Sequence, residues 1–159
     1  MANLPFDVSL GLVVTYALNV KNNTPSTSVL GVLALASTGL EIDSVLRTKT
    51  TVAALVSGST NEATNTGYSR ATITDSDLSG ISFSPDTTNH NVIIDTPDVL
   101  LGTVQAGDNI SKIVFYYDSN PATTTDSTRI PLVMFDFFVI PNGSQITANV
   151  LGIYKEQAP

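Results

Sequence analysis

The sequence has no cysteine, no tryptophan and a single histidine, His90, among its 159 residues. A chain without cysteine can form no disulfide, no thiolate metal site and no cysteine nucleophile. One histidine is too few for a zinc site built from several histidines of a single chain. These absences exclude a secreted fold stapled by disulfides, and we expect the protein to work without a cofactor.

Positive charge is also scarce, because seven Lys and Arg residues stand against 14 Asp and Glu residues and the net charge is -7. Phosphate backbones and anionic lipids are bound by clusters of basic residues. The basic residues of this chain are instead scattered between Lys21 and Lys155. We therefore expect neither a nucleic acid nor a membrane as a partner.

The N-terminal region lacks the features of an export signal. No Lys or Arg precedes Lys21, and Asp7 stands before the apolar stretch 8–20. A signal peptide begins with basic residues, and a membrane-spanning helix needs about 20 apolar residues. We expect a soluble protein without an export signal.

Hydroxyl and β-branched side chains are abundant. Ser and Thr together number 37, and Thr, Val and Ile suit the pleated surface of a sheet. Short apolar or alternating runs recur about every ten residues with turn residues between them, which is typical of sandwiches and barrels. The sequence therefore predicts an all-β fold, an antiparallel β-sandwich or jelly roll.

Two apolar runs lie near the N-terminus. The run 29–36 predicts a strand buried on both faces. In 8–20 a helix competes with a strand, but Gly11 and the β-branched residues favour the strand. We expect residues 1–28 to form an N-terminal strand or arm and residues 29–159 to form the β-sandwich domain.

One short helix and one tight turn are predicted from local signals. Residues 43–57 have apolar side chains at helical spacing, with Ser44 as the N-cap and Gly58 as the C-terminal stop. The segment Pro141-Asn142-Gly143-Ser144 contains the Asn-Gly pair of a type I′ turn and predicts a β-hairpin.

Several polar residues are candidates for a site, each with a structural alternative. Asp75, Asp77 and Asp86 echo the carboxylate spacing of a calcium loop. We favour the alternative, in which these residues form a turn between two strands. His90 lies between two asparagines and is predicted to be a surface turn residue rather than a catalytic base.

Three acidic residues in the second half of the chain have similar alternatives. Asp95 and Asp98 could act as a glycosidase pair only at a defined separation in space, and we favour a role in turns and solubility. Asp136 interrupts an apolar run. An unpaired buried carboxylate is costly, so we expect Asp136 to point outward or to pair with Arg129 or Arg70.

A series of short motifs resembles a group of small virion proteins of tailed bacteriophages. The first is a GY(A/S)R step that opens a Thr-rich strand, present here as Gly67-Tyr68-Ser69-Arg70 after a short helical stretch and Glu62. The remaining motifs follow in the same order as in that group: His90–Asp95 with Pro97–Val99, Ile113–Asp118, Asp126–Leu132, Phe135–Phe137 and Pro141–Gln145. The resemblance covers residues 30–154 and rests on this shared order.

The resemblance implies a β-sandwich head decoration or cement protein that binds the major capsid protein and stabilises the capsid. It implies synthesis in the host cytoplasm, a place on the capsid surface of the virion, and a homo-oligomer, with a trimer favoured. We expect no enzymatic activity. The alternatives are a tail- or fibre-associated structural protein, a host-glycan-binding β-sandwich, and a glycan-cleaving domain of a phage spike.

The resemblance leaves residues 1–28 uncovered, and we expect this arm to touch the capsid. Its apolar residues alternate, so that an extended strand would carry them on one face able to add to a partner's sheet edge. Those predicted partner-binding residues are Leu4, Phe6, Val8, Leu10 and Leu12. The alternative is that the same face packs in the protein's own core.

Overall fold

The structure, a computed structural model, describes residues 3–79, 84–86, 91–150 and 154–157. It consists mostly of strands in antiparallel sheets with a few short helices, so the prediction of a mainly-β fold is confirmed. The strands are β1 (Asn3–Pro5), β2 (Val29–Ala36), β3 (Ala71–Ile73), β4 (Ser84–Asp86), β5 (Asn91–Ile94), β6 (Val99–Thr103), β7 (Ile110–Asp118), β8 (Ile130–Val139), β9 (Gln145–Ala148) and β10 (Tyr154–Gln157). The helices are α1 (Val13–Lys21), α2 (Asp43–Leu46), α3 (Val52–Leu55) and α4 (Asp75–Leu78).

The central sheet has five strands in the order β1-β8-β7-β2-β3. The two longest ladders join β7 to β2 and to β8, with Leu33 of β2 opposite Val114 of β7. The strand predicted at 29–36 is observed with those bounds, and seven of its eight residues are buried. A strand without polar side chains can be accommodated only where both faces of the sheet are covered.

Each face of this sheet carries its own hydrophobic core, because successive strand residues point to opposite sides. On the first face the sheet packs against α1, β5, β6 and β9. That first core includes Val13, Ala17, Val20, Leu30, Val32, Ile94, Leu101, Ile113, Phe115 and Ile146. On the second face the sheet packs against the N-terminal segment, α2 and α3. That second core comprises Phe6, Leu33, Leu35, Leu46, Val52, Leu55, Val114, Tyr116 and Met134.

The strand predicted over 8–20 is wrong, because residues 7–9 form a 3-10 turn and Val13–Lys21 is a helix. Its buried residues Val13, Ala17 and Val20 have helical spacing and all face the first core. The Tyr16 ring also packs on the Tyr117 ring of β7, with 4.6 Å between centroids. Burial of a helical stripe outweighs the small helix penalty of β-branched residues.

The helix predicted within 43–57 is observed as two separate turns of four residues each, α2 and α3. The prediction of a single helix capped by Ser44 is therefore wrong. Ile42 occupies the N-cap of α2 without a side-chain hydrogen bond, whereas the Thr51 hydroxyl accepts from the Ala54 N–H at 3.1 Å and caps α3. No helix among the described residues has the length and apolar character needed to cross a membrane.

The turn at Pro141–Ser144 forms, but the predicted hairpin does not. Gly143 adopts a φ of +89°, which only glycine reaches without strain. The strand before the turn, β8, pairs with β7 and β1, whereas the strand after it, β9, pairs with β6. The turn therefore moves the chain from the five-stranded sheet to a separate two-stranded one.

Candidate functional site

The most extensive polar arrangement in the described residues is an ionic network at one end of the five-stranded sheet. We call it the arginine cluster, and it joins residues that lie far apart in the sequence. Arg70 precedes β3, Tyr116 and Asp118 end β7, and Arg129 precedes β8. The full cluster comprises Glu62, Tyr68, Arg70, Tyr116, Asp118, Asp126 and Arg129.

Asp126 lies between the two guanidinium groups. Its Oδ1 accepts from Arg70 Nη1 at 2.7 Å and from Arg129 Nη1 at 2.8 Å, and its Oδ2 accepts from Arg70 Nη2 at 2.8 Å. Hydrogen bonds from Arg70, with those from Arg129, lower the pKa of Asp126 to about 2 despite partial burial. The carboxylate therefore stays ionised at any physiological pH.

Glu62 holds the other side of Arg70. Its Oε1 accepts from Arg70 Nε at 2.8 Å and its Oε2 from Arg70 Nη2 at 2.5 Å. The Tyr68 hydroxyl donates to Glu62 Oε1 at 2.8 Å and accepts from the Ala34 N–H of β2 at 2.9 Å. Burial raises the pKa of Tyr68, and the Glu62 charge raises it further. Tyr68 thus ties the cluster directly to the backbone of the central sheet.

Asp118 is 2% exposed and would be costly to bury without partners. Arg129 Nε donates to its Oδ2 at 2.7 Å, and the Thr124 hydroxyl and the Asn120 N–H donate to its Oδ1 at 2.5 and 3.0 Å. These bonds satisfy both carboxylate oxygens. They also fold the loop between β7 and β8 back onto the end of β7.

Both arginines contact the Tyr116 ring, each guanidinium carbon being 5.7 Å from the ring centroid. This arrangement requires a glycine on the neighbouring strand. Gly31 stands opposite Tyr116 in the β2–β7 ladder, and a Cβ added there would come within 2.0 Å of Tyr116 Cζ. A glycine inside a strand can mark such a close approach, and this is the sequence signal that could have located the cluster.

The cluster also anchors α3. The Val52 N–H donates to the Arg129 carbonyl at 3.0 Å and the Ala53 N–H donates to the Asp126 carbonyl at 2.8 Å.

All five charges of the cluster are paired. Burial raises the pKa of Tyr116 as well, so Asp126 and both tyrosines titrate far from neutral pH. The arrangement fastens the loops and α3 to the central sheet.

The predicted partner-binding residues are placed apart. Phe6 is fully buried in the second core, while Leu4 and Val8 are half-buried against it. Leu10 and Leu12 are exposed. The predicted extended strand with one apolar face is absent, because the chain turns at residues 7–12. The alternative of packing in the protein's own core holds for Phe6.

The calcium-like segment forms a helix turn instead of a plain turn. Asp77 Oδ2 accepts from the Thr74 N–H and hydroxyl, both at 2.8 Å, in a capping box at the start of α4. No group of three or more metal-binding side chains occurs in the described part of the chain. Asp86 lies on β4, and its side chain, like the whole of His90, is outside the described residues.

Asp136 pairs with a cation that sequence reasoning did not name. It is bonded to Lys112 of β7, its partner in the ladder, and not to Arg129 or Arg70. Lys112 Nζ also lies 2.9 Å from Asp43 Oδ1 at the start of α2. Burial lowers the pKa of Lys112, but its bonds to Asp136 and Asp43 outweigh this effect and leave the pKa above its ordinary value.

Two shallow grooves flank these elements. One, of about 410 Å³, is lined by Glu62 and Asp108 among others, but Glu62 is held by Arg70. The other, of about 310 Å³, lies between β3 and β6 and is lined by Asp77 and Asp98, of which Asp77 caps α4. Each groove therefore has one acidic residue already engaged by the fold.

Comparison with protein-family models, curated proteins and solved structures finds no match for this chain. Its function must therefore be argued from the sequence and the geometry alone. The geometric fact that bears most on it is convergence. Arg70 and Asp126 are 56 residues apart in the sequence, yet their side chains are directly bonded. Through them a single bonded network joins Glu62 and Tyr68 to Arg129.

Proposed function

We propose that the protein is a structural component of a tailed-phage virion, a decoration protein that binds the major capsid protein and stabilises the capsid. The observation that carries this proposal is the convergence in the arginine cluster. Three of the motifs that resemble phage virion proteins, at Glu62–Arg70, Ile113–Asp118 and Asp126–Leu132, contribute to one network. Motifs in shared order that also meet in space are better support for the resemblance than order alone.

The physical character of the chain supports binding rather than chemistry. Charged residues are only 13% of the sequence, and the polar groups of the cluster hold one another. In the proposed architecture the five-stranded sheet and the smaller sheets form the two layers of a β-sandwich around the first core. The protein works on the outside of the shell as a homo-oligomer, with a trimer favoured.

Stabilisation follows from mass action. A ligand that binds only the assembled shell stabilises it by RT ln(1 + [L]/Kd), or about 2.7 kcal/mol for each site at a hundredfold excess over Kd. Many copies on one shell multiply this effect. No cofactor and no nucleic acid is needed for such a role.

The location of the protein in the virion tests the proposal. Virions are disrupted into heads and tails, separated by sedimentation and probed with an antibody against the protein. We expect the protein on the heads, accessible to the antibody in intact particles. Its presence on tails or fibres alone would overturn the proposal in favour of a tail-associated role.

A further inference from the structure

Three apolar side chains are far more exposed than the others among the described residues. Ile42, Phe138 and Ile140 are 69%, 66% and 65% exposed, whereas the next large hydrophobic residue, Leu10, is 51% exposed. Single exposed apolar residues are common on protein surfaces, but a group of them marks an interaction site. Whether these three form a group depends on where the fold places them.

Lys112 brings them together. Its ammonium group binds Asp43, which follows Ile42, and Asp136, which precedes Phe138 by two residues on the same face of β8. Ile140 continues that alternation, since Phe137 and Val139 pack against the first core. Ile42 and Phe138 therefore lie near the two carboxylates that bind one buried lysine, and Ile140 lies two residues further along the same face; we call the three residues the β8 patch.

Nothing in the described part of the chain covers the β8 patch. The second core reaches along β8 only as far as Met134. β1 pairs with residues 133–135 of β8 and with no later residue within the described ranges. The patch is thus the uncovered continuation of the face that α2 and α3 cover elsewhere.

The rim of the patch is acidic. Asp43 and Asp136 are 42% and 59% exposed, while the Lys112 side chain beneath them is 8% exposed. The rim therefore presents carboxylate oxygens outward and hides the cation. Two copies paired symmetrically across this patch would bring like charges together, and the net charge of -7 adds to the repulsion.

We propose that the β8 patch is the surface by which the protein docks on the capsid, and that it fits an apolar depression flanked by Lys or Arg. This inference rests on the proposed function. The apolar centre supplies affinity and the acidic rim supplies orientation and a faster encounter. The partner is a different protein with basic side chains, not a second copy of this chain.

The test is co-sedimentation of the purified protein with empty shells assembled from the major capsid protein of the same virus. Ile42→Ser is the main variant, because serine at the N-cap of α2 favours the helix and cannot lower binding through unfolding. The double variant Phe138→Thr/Ile140→Thr removes the exposed apolar side chains and places threonine, which suits a strand, at both positions. Leu100→Thr is the matched control, because Leu100 is an exposed residue of β6 outside the patch.

We expect Ile42→Ser and the double variant each to raise Kd at least tenfold, while Leu100→Thr stays within twofold of the wild type. Affinity of the wild type should fall as NaCl rises, because salt screens the acidic rim. If the wild type binds and both patch variants bind with the same Kd, this inference is overturned and the proposed function still stands. Absence of wild-type binding overturns both. A dimer that Phe138→Thr disperses would assign the patch to a second copy instead.

Discussion

Replacing Asp126 by asparagine tests whether the arginine cluster stabilises the fold. The carboxylate accepts three hydrogen bonds from Arg70 and Arg129, whereas an asparagine amide keeps one acceptor oxygen and carries no charge. With the amide oxygen in the Oδ1 position, the bond from Arg70 Nη2 to Oδ2 is lost and the two bonds to Oδ1 lose their charge assistance. A charge-assisted bond is worth about 1.5–3 kcal/mol when shielded. The Asp126 side chain is 30% exposed, so water compensates in part, and we expect a loss of roughly 2–3 kcal/mol in the free energy of unfolding.

The assay is equilibrium urea unfolding at pH 7, with thermal unfolding alongside it. For a domain of this size a loss of 2–3 kcal/mol corresponds to a fall in Tm of about 5–10 °C. Asp7→Asn is the matched control, because Asp7 pairs with Arg47 on the exposed surface at 2.9 Å and such pairs contribute about 0–1 kcal/mol.

The same variant has a pH signature. The pKa of Asp126 is lowered to about 2 in the folded protein from an ordinary value of 3.8. A lowered pKa stabilises the fold above the ordinary value, and this contribution is lost as pH falls through the folded value. The gap between the wild type and Asp126→Asn should therefore shrink between pH 4 and pH 2. A gap equal to that of Asp7→Asn, or one that stays constant over this range, would refute the reasoning.

Three further substitutions test the packing around the cluster and the second core. Gly31→Ala forces the Tyr116 ring to move and should cost about 1–3 kcal/mol; Tyr116→Val in the same chain should recover part of that loss in a double-mutant cycle by urea unfolding. Thr51→Ala removes the cap of α3 and should cost about 1 kcal/mol, visible as an earlier urea midpoint. Phe6→Ala leaves a cavity at a fully buried position and should lower the free energy of unfolding by about 3–5 kcal/mol in calorimetry of the isolated protein. An unchanged unfolding temperature would contradict the burial of Phe6 in the second core.

The local pattern predicted the central strand β2 with its observed bounds. Its residues fit one environment, a sheet covered on both faces, because the run 29–36 contains no polar side chain. The run 13–21 also contains valine, leucine and alanine, but Thr15, Asn19 and Lys21 interrupt it and it becomes a helix. Its buried residues Val13, Ala17 and Val20 fit a helical stripe, whereas its β-branched residues favour a strand. Packing against the Tyr117 ring and the first core decides for the helix. Such tertiary packing cannot be derived from a window of one sequence.

The candidate site was predictable in its parts but not in its connections. Sequence reasoning expected Asp136 to point outward or to pair with Arg129 or Arg70, and its side chain does point outward, being 59% exposed. The structure gives the two arginines Asp126 instead and gives Asp136 to Lys112. Which carboxylate meets which cation depends on strand order, because the ladder places Lys112 opposite Asp136. The order β1-β8-β7-β2-β3 has no local signal in the chain.

The heat resistance of stripped and replenished capsids tests the central proposal most directly. DNA-filled heads are freed of the protein, and DNA release is followed on heating with and without saturating purified protein. We predict that replenished heads release their DNA at a higher temperature than stripped heads, and that heads mixed with the Ile42→Ser variant at the same concentration resemble stripped ones. Heads that bind the wild-type protein to saturation and still release DNA at the same temperature as stripped heads would contradict the proposal.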